Sequence, residues 1–235
     1  MNSSRLPGKV LADIEGMPAI ARITRRLAIC ASLDNIVLAT TDSATDDPLA
    51  AWAAAEGIEC YRGSEDDVLN RVVEAHRSAH SDIVVEVCGD CPLIDPDVID
   101  LAVETFLANE CDVVSNTRKL SFPQGADAQV FRLADLAEVE RTVADPAVRE
   151  HVSLYFYEHP ERYRVIHLVA PASLRAPHVR LQMDYPEDQR FINAVYERLG
   201  PRFGDDFGVA EILELLAREP ALAEINRHCE ERAAR

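Results

Sequence analysis

The sequence has no long apolar run and few aromatic residues. Only 6% of its 235 residues are aromatic, and a single tryptophan, Trp52, is among them. No apolar stretch approaches the roughly 20 residues that a membrane-spanning helix needs. The first ten residues, MNSSRLPGKV, lack the basic-then-apolar pattern of a signal peptide. We therefore expect a cytoplasmic protein that does not associate with membranes.

Basic residues are also scarce. The chain has 24 Lys and Arg residues against 41 Asp and Glu residues, so its formal net charge is −17. Such a surface repels phosphate backbones, which excludes general nucleic-acid binding. A small anionic substrate is still compatible with this charge, because binding it needs only a local cluster of Arg, Lys and metal.

The six cysteines do not indicate a disulfide framework. Most of them lie in apolar segments, and no secretory signal is evident, so we interpret them as reduced thiols. Cys88 and Cys91 have CxxC spacing, but a structural zinc site would usually supply a second ligand pair. Pro92 follows directly, where a redox motif would normally start a helix. We expect a buried Cys88 on a strand and an incidental Cys91.

Short apolar runs alternate with helical periodicity through the first half of the chain. The predicted strands cover residues 35–41, 58–61, 83–87 and 111–117. The predicted helices cover residues 17–32, 46–57, 66–80 and 96–110. This alternation predicts an α/β fold with a doubly wound, mostly parallel sheet.

The alternation becomes irregular after residue 117. The pattern predicts a loop at 121–127, short strands at 128–131, 164–169 and 179–183, and helices at 133–143, 146–158, 186–199 and from 208 onward, interrupted near Pro220. We interpret residues 1–235 as a single domain because no linker is evident. Residues 118–178 are predicted to form an insertion that carries substrate or oligomer contacts.

Asp90 lies at the end of the most apolar predicted strand, in the segment DIVVEVCGDCPLID of residues 82–95. In open α/β sheets, ligands bind outside the carboxyl ends of the strands. Asp90 is therefore placed where a catalytic carboxylate or metal ligand is expected. The alternative is a turn residue before Pro92, since Gly-Asp and Pro are common in turns. This segment alone does not decide between the two.

Residues 3–9, SSRLPGK, bring together two hydroxyls, two cations and a glycine. Hydroxyls, backbone N–H groups and cations are the groups that bind a triphosphate. The spacing is not that of a P-loop, and no strand precedes it. Taken alone, the segment is better interpreted as a frayed basic terminus.

Five motifs in one order give a more specific indication: SSRLPGKVL (3–11), GSEDDVLNR (63–71), VCGDCPLID (87–95), REHVSLYF (149–156) and MDYPEDQRFI (183–192). Together they resemble the cytidylyltransferases that activate acidic sugars, the CMP-KDO and acylneuraminate synthetases, and in particular the branch named for the spore coat polysaccharide protein SpsF. The resemblance covers nearly the whole chain. It implies a Rossmann-like fold of the nucleotide-diphosphosugar-transferase type, a reaction of CTP with a sugar acid that releases pyrophosphate, Mg²⁺ as cofactor, and a homodimer.

The resemblance also implies roles for nine residues. Ser4, Arg5 and Lys9 correspond to the triphosphate loop, with Arg5 and Lys9 as the catalytic cations. Asp90 and Asp184 correspond to the Mg²⁺ ligands. Ser64 and Arg71 correspond to residues near the cytosine or ribose, and Arg149 and His151 to residues lining the sugar-acid site.

Several of these residues have simpler interpretations. Asp184 could belong to a plain helix N-terminus, and for Glu187 and Asp188 we prefer that interpretation because acidic side chains favour the positive end of the helix dipole. Ser64 could cap the helix that follows it. A lone histidine such as His151 more often packs than binds a ligand.

The family normally begins with an apolar strand just before the serine-rich loop, whereas Met1 stands almost at that loop. We therefore expect that the family's first strand is missing. Either the true start lies upstream of Met1, which we favour, or stability and CTP binding are compromised.

Two other functions remain open. The first is a glycosyltransferase that uses a nucleotide sugar. A DxD pair would favour this function, but the sequence around Asp90 is GDC. The second is a catalytically idle nucleotide-binding subunit, which a missing strand would allow.

Overall fold

Strands and helices alternate along most of the chain in the computed structural model, which describes residues 5–230. The strands are β1 (Asp13–Ile14), β2 (Met17–Pro18), β3 (Val37–Thr41), β4 (Glu59–Gly63), β5 (Ile83–Glu86), β6 (Val113–Ser115), β7 (Gln129–Arg132) and β8 (Val165–His167). The helices are α1 (Ala19–Leu27), α2 (Asp47–Glu56), α3 (Val68–Ser78), α4 (Pro96–Ala108), α5 (Leu133–Thr142), α6 (Pro146–Glu150), α7 (Leu154–Glu158), α8 (Pro186–Phe203) and α9 (Val209–Arg218). Short 3₁₀ helices cover Lys9–Leu11, Ala44–Asp46 and Pro220–Glu224. The predicted α/β class is confirmed.

The largest sheet has the strand order β5-β7-β6-β8. β7 is antiparallel to both β5 and β6, and β8 is parallel to β6, so β5, β6 and β8 run in one direction and β7 runs against them. β3 and β4 form a separate parallel pair, and β1 and β2 form a hairpin. The sheet is therefore mixed, with a single reversed strand between β5 and β6.

Helices cover both faces of the four-stranded sheet, which explains why its strands are apolar on both sides. On one face, Val98 and Phe106 of α4 pack in a cluster with Val114 of β6. On the other face, Leu69 of α3 and Leu136 of α5 pack in a second cluster that includes strand residues. All three residues of β6 are buried.

One carboxylate ties the loop after β5 to two helices. Oδ1 of Asp95 accepts the backbone N–H of Asp97 at the start of α4 (2.9 Å), and its Oδ2 accepts the N–H of Val209 at the start of α9 (2.6 Å). A Cβ atom on Gly208 would lie 2.6 Å from the same Oδ2, so glycine is required for this close approach. The contact holds the loop that carries Asp90 against the last helices of the fold.

Two of the predicted elements are wrong in detail. The predicted strand at 179–183 is extended but joins no sheet: it makes one isolated bridge, Gln124 to Arg180, because its backbone groups bond to an irregular loop. The helix predicted over 146–158 is divided into α6 and α7. His151 ends α6, and its carbonyl oxygen accepts the N–H of Leu154 at the start of α7.

Residues 118–178, predicted as an insertion, supply β7 and β8, two of the four strands of the main sheet. Their role in substrate or oligomer contacts stays a prediction. All six cysteines are free. The expectation of a buried Cys88 on the strand is wrong, because Cys88 is exposed and lies two residues beyond the end of β5. Within residues 5–230, no helix combines the length and apolar character needed to cross a bilayer.

Candidate functional site

The backbone brings the two aspartates predicted as metal ligands together. Asp90 follows β5 by four residues, and its carbonyl oxygen accepts the backbone N–H of Met183 (2.8 Å). In the same extended segment, the N–H of Leu181 donates to the carbonyl oxygen of Gln124 (2.7 Å). Asp184 therefore comes next to Asp90, although the two residues are far apart in sequence.

The side chain of Lys9 joins the two carboxylates. Its ammonium nitrogen lies 2.6 Å from Oδ2 of Asp90 and 2.7 Å from Oδ1 of Asp184. The side chains of Lys9 and Asp90 are each 15% exposed, and that of Asp184 is 6% exposed. Both carboxylates thus point at one position, and that position holds a cation. We call this group, Lys9 with Asp90 and Asp184, the Lys9 cluster.

Neighbouring charges set the ionisation of Lys9 and Asp184. Burial on its own lowers the pKa of Lys9, but Asp90 and Asp184 outweigh it, so the pKa is raised above its ordinary value. Burial likewise favours a raised pKa for Asp184, but Lys9, Arg180 and Arg5 together hold this pKa below its ordinary range. At neutral pH the lysine is therefore cationic and Asp184 anionic.

Two arginines bind the other oxygen of Asp184. Nη2 of Arg5 lies 3.0 Å from Oδ2 of Asp184, and Nη2 of Arg180 lies 2.8 Å from the same atom. The guanidinium of Arg5 also lies over the ring of Tyr185, 4.8 Å from its centroid. Arg5 and Lys9, the two cations predicted to act on the triphosphate, thus belong to one site. Ser4, predicted beside them, lies outside the described residues.

Gln182 was not identified from the sequence. Its Nε2 lies 3.4 Å from Oδ2 of Asp90, next to Lys9. In an extended segment, side chains two residues apart point to the same side, so Arg180, Gln182 and Asp184 share one side of the backbone. The sequence signal for Gln182 is therefore the spacing R-x-Q-x-D, once the segment is known to run past Asp90.

The start of α8 agrees with the capping role expected for Asp188. Its Oδ2 accepts the backbone N–H of Asp184 (2.9 Å) and of Tyr185 (3.0 Å). Glu187 pairs with Arg190 (3.0 Å) one turn along the helix. Asp188 is completely buried, however, and it also binds Arg180 (3.0 Å), which helix capping alone does not explain.

Three further predicted residues gather at the start of α3. The hydroxyl oxygen of Ser64 accepts the N–H of Asp67 (3.2 Å), and the guanidinium of Arg71 donates to the carbonyl oxygen of Ser64. Nε of Arg149 donates to Oδ2 of Asp67 (3.0 Å). Within residues 5–230, no hydrogen bond or ion pair joins this group to the Lys9 cluster.

The sugar-binding roles predicted for Arg149 and His151 have no direct support in these contacts. Arg149 also donates to Glu140 of α5, so its guanidinium is occupied in joining α6 to α3 and α5. His151 is half-buried and lies at the end of α6. Its backbone N–H donates to the carbonyl oxygen of Ala147 (2.9 Å). Its imidazole makes no hydrogen bond with the part of the chain that the structure describes.

The donor set of the Lys9 cluster fits a hard divalent cation. Asp90 and Asp184 each place one carboxylate oxygen on a shared cation position. Mg²⁺ is usually bound by one or two carboxylates, with phosphate oxygens and waters completing its shell. Asp90 and Asp184 are therefore the residues of this group that could hold a magnesium ion.

Comparisons with known proteins point to one enzyme family. A family model described as cytidylyltransferase matches residues 1–226. The chain is 35% identical over 228 residues to the spore coat polysaccharide biosynthesis protein SpsF of Bacillus subtilis (strain 168), covering 95% of this chain and 93% of that protein. It is 36% identical over 168 residues to a 3-deoxy-manno-octulosonate cytidylyltransferase of Chlorobium luteolum, covering 69% of this chain and 62% of that protein. Among solved structures, a cytidylyltransferase from Leptospira borgpetersenii serovar Hardjo-bovis matches with a TM-score of 0.88 at 26% identity, covering 99% of this chain and 95% of that one.

Proposed function

The chain belongs to the cytidylyltransferase family, and we propose that it transfers the cytidylyl group of CTP to an acidic 2-keto sugar with Mg²⁺ as cofactor. The products are a CMP-sugar and pyrophosphate, and the reaction serves polysaccharide or glycoconjugate biosynthesis. The observation that carries this proposal is the Lys9 ammonium shared between Asp90 and Asp184.

The cations of the site suit a triphosphate. Lys9 and Arg5 are the cations predicted to bind it, and both lie at one carboxylate, that of Asp184. When a triphosphate enters, its oxygens compete with the carboxylates for these donors. Transfer to phosphorus requires mainly positioning and charge stabilisation, so two placed cations are an appropriate catalytic apparatus.

The proposed chemical step is an in-line displacement at the α-phosphorus of CTP. The anomeric hydroxyl of the sugar acid forms the new O–P bond, and the bond to the bridging oxygen of the β-phosphate breaks. Pyrophosphate carries away the electron pair of the broken bond, and the hydroxyl proton passes to water. Lys9 and Arg5 stabilise the charge that grows on the departing pyrophosphate.

Asp90 and Asp184 are the residues that would hold Mg²⁺. When bound, the ion neutralises phosphate charge and helps to orient the triphosphate. Gln182, through its contact with Asp90, helps to fix the direction of that carboxylate.

The acidic sugar is proposed on two grounds. A relative at 36% identity is named a 3-deoxy-manno-octulosonate cytidylyltransferase, and another is named for polysaccharide biosynthesis.

For the nucleoside end of CTP we propose Ser64 and Arg71. Nε of Arg71 is buried and has no hydrogen-bond partner within residues 5–230. Arg149 and His151 remain proposed for the sugar side from the resemblance alone.

We also propose a homodimer that uses residues 118–178. Two large apolar side chains in this range are exposed, Leu120 (65%) and Val169 (49%). A dimer interface would remove them from water. Sedimentation equilibrium of the wild type and of Leu120→Glu tests this: a dimer that the variant weakens supports the proposal, and a wild-type monomer overturns it.

A pyrophosphate-release screen tests the proposed reaction. CTP, ATP, GTP and UTP are each combined with a panel of 2-keto sugar acids and Mg²⁺. Release from CTP, dependent on both a sugar acid and the metal, supports the proposal. CTP binding without turnover favours the idle nucleotide-binding subunit, and consumption of a nucleotide sugar with an acceptor favours the glycosyltransferase.

A further inference from the structure

A buried polar group lies directly behind Asp184. It consists of Arg180, Asp188 and Asn226, and we call it the brace. Asp188 is 0% exposed, Asn226 3% and Arg180 5%. Arg180 belongs to the extended segment 179–183, and Asp188 belongs to the first turn of α8. Asn226 belongs to the segment after the last 3₁₀ helix. Three separate parts of the chain thus meet behind one candidate metal ligand.

Arg180 connects the brace to the site. Its Nε lies 3.0 and 3.2 Å from the two oxygens of Asp188, and its Nη2 lies 2.8 Å from Oδ2 of Asp184. Because the guanidinium is planar and rigid, its two contacts fix the two carboxylates relative to each other. With Oδ2 of Asp184 held on this side, Oδ1 is left to accept from the ammonium group of Lys9.

Asp188 is itself held by four donors. Its Oδ1 accepts from Arg180 and from Nδ2 of Asn226 (2.9 Å), and its Oδ2 accepts the backbone N–H groups of Asp184 and Tyr185. Asn226 also donates to the carbonyl oxygen of Arg180 (3.0 Å). The brace therefore holds both the side chain of Asp184 and its backbone.

Stability alone is a weak reason for such a group. A buried ion pair is costly to desolvate, and apolar side chains of similar volume often stabilise a protein as well or better. Partners that orient a metal ligand, in contrast, commonly alter metal affinity when they are removed.

We propose that Arg180 and Asp188 are positioning residues that hold the carboxylate of Asp184 in the orientation needed to bind a divalent cation, and that Asn226 completes the brace. The inference rests on the proposed function, because it takes Asp184 as a ligand of the reaction's metal. Neither residue touches the substrate or the metal; both act through Asp184.

The experiment uses Mn²⁺ as the probe of the site and measures its binding to the protein by EPR. Free Mn²⁺ is titrated into the wild type, Asp188→Asn, Arg180→Lys and Asn226→Ala, with and without CTP. Asp188→Asn keeps the shape of the side chain but loses its charge, and Arg180→Lys keeps the charge but loses the planar fork. We expect both to weaken Mn²⁺ binding about tenfold or more, with a smaller loss for Asn226→Ala.

Kinetics separate positioning from a structural role. In pyrophosphate release we expect Asp188→Asn and Arg180→Lys to lower kcat about tenfold or more, with the KM for the sugar acid within about twofold of the wild type. Glu197→Gln is the matched control, since Glu197 is a carboxylate of the same helix that pairs with Arg198 outside the brace. It should bind Mn²⁺ and turn over as the wild type does. All assays are run below the melting temperature of each variant, and if Asp188→Asn does not fold, Arg180→Lys and Asn226→Ala decide.

Folded brace variants with wild-type Mn²⁺ affinity and kcat would overturn the inference and leave the brace a purely structural group. A wild type that binds no Mn²⁺, with or without CTP, would overturn it as well. A wild type that binds Mn²⁺ but releases no pyrophosphate with any sugar acid would instead refute the proposed function. The Mn²⁺ affinities of the variants then decide the inference on their own.

Discussion

The ammonium nitrogen of Lys9 lies 2.7 Å from Oδ1 of Asp184, a residue 175 positions away in the sequence. The same nitrogen lies 2.6 Å from Asp90. The lysine thus forms an ion pair with each of the two carboxylates that are proposed to hold the metal. Phosphate oxygens and a divalent cation together offer each group a new partner, and the site can exchange one set of ion pairs for another.

Asp90→Asn is expected to lower the rate of pyrophosphate release from CTP about 100-fold or more, because it removes a charge aimed at the metal position. The initial rate at saturating Mg²⁺ is the measurement. Glu104→Gln, an exposed acidic position on α4, serves as the control and should retain the wild-type rate. A wild-type rate in Asp90→Asn would refute its assignment as a metal ligand.

Lys9→Met is expected to lower turnover and, in the absence of CTP, to tighten Mn²⁺ binding. The substitution removes the cation that occupies both carboxylates, so a metal ion no longer competes with it. The Coulomb energy of such a half-buried contact corresponds to about tenfold or more in affinity. EPR titration without nucleotide measures the effect, and weaker Mn²⁺ binding in the variant would contradict it.

Glu86→Gln is expected to stabilise the protein at alkaline pH but not at acidic pH. Burial raises the pKa of Glu86 from 4.5 to about 7. A carboxyl group with a raised pKa in the folded state favours folding while protonated, so the wild type loses stability as the pH rises from about 4.5 to about 7.

The glutamine variant lacks this loss. Its free energy of unfolding should exceed that of the wild type by about 1–3 kcal/mol near pH 8, and match it near pH 4. Urea unfolding at both pH values provides the test. An equal difference at the two pH values would mean that the ionisation of Glu86 is not responsible.

Gly208→Ala is expected to destabilise the fold by about 1–3 kcal/mol, since the added Cβ would lie 2.6 Å from Oδ2 of Asp95. Gly200→Ala is the matched control: a Cβ there meets nothing within 4 Å, and the residue lies inside α8, where alanine is favoured. Chemical unfolding should therefore show a loss for the first variant and none for the second. Equal behaviour of the two would argue against the close approach of Gly208 to Asp95.

Local patterns were sufficient for most of the helices and strands. The apolar run at 83–87 predicted β5, and the break after it placed Asp90 at a strand end, because strand formation and turn chemistry depend on neighbouring residues. The expectation that the family's first strand is missing stays a prediction. The extended segment at 179–183 has the composition of a strand and was predicted as one. Its hydrogen-bond partner is a loop, however, and composition does not show which part of the chain a segment pairs with.

The residue types and their order in the sequence determined the α/β class, the family resemblance and the choice of Lys9, Asp90 and Asp184 as candidates. Only the tertiary structure decided that these three meet, that β7 lies reversed between β5 and β6, and that Arg149 is occupied at the start of α3. It also showed that Asp188, besides capping α8, belongs to the buried brace. The physical reason is that charges and hydrogen bonds act over a few ångströms in space, whereas periodicity reports only on residues that are neighbours along the chain.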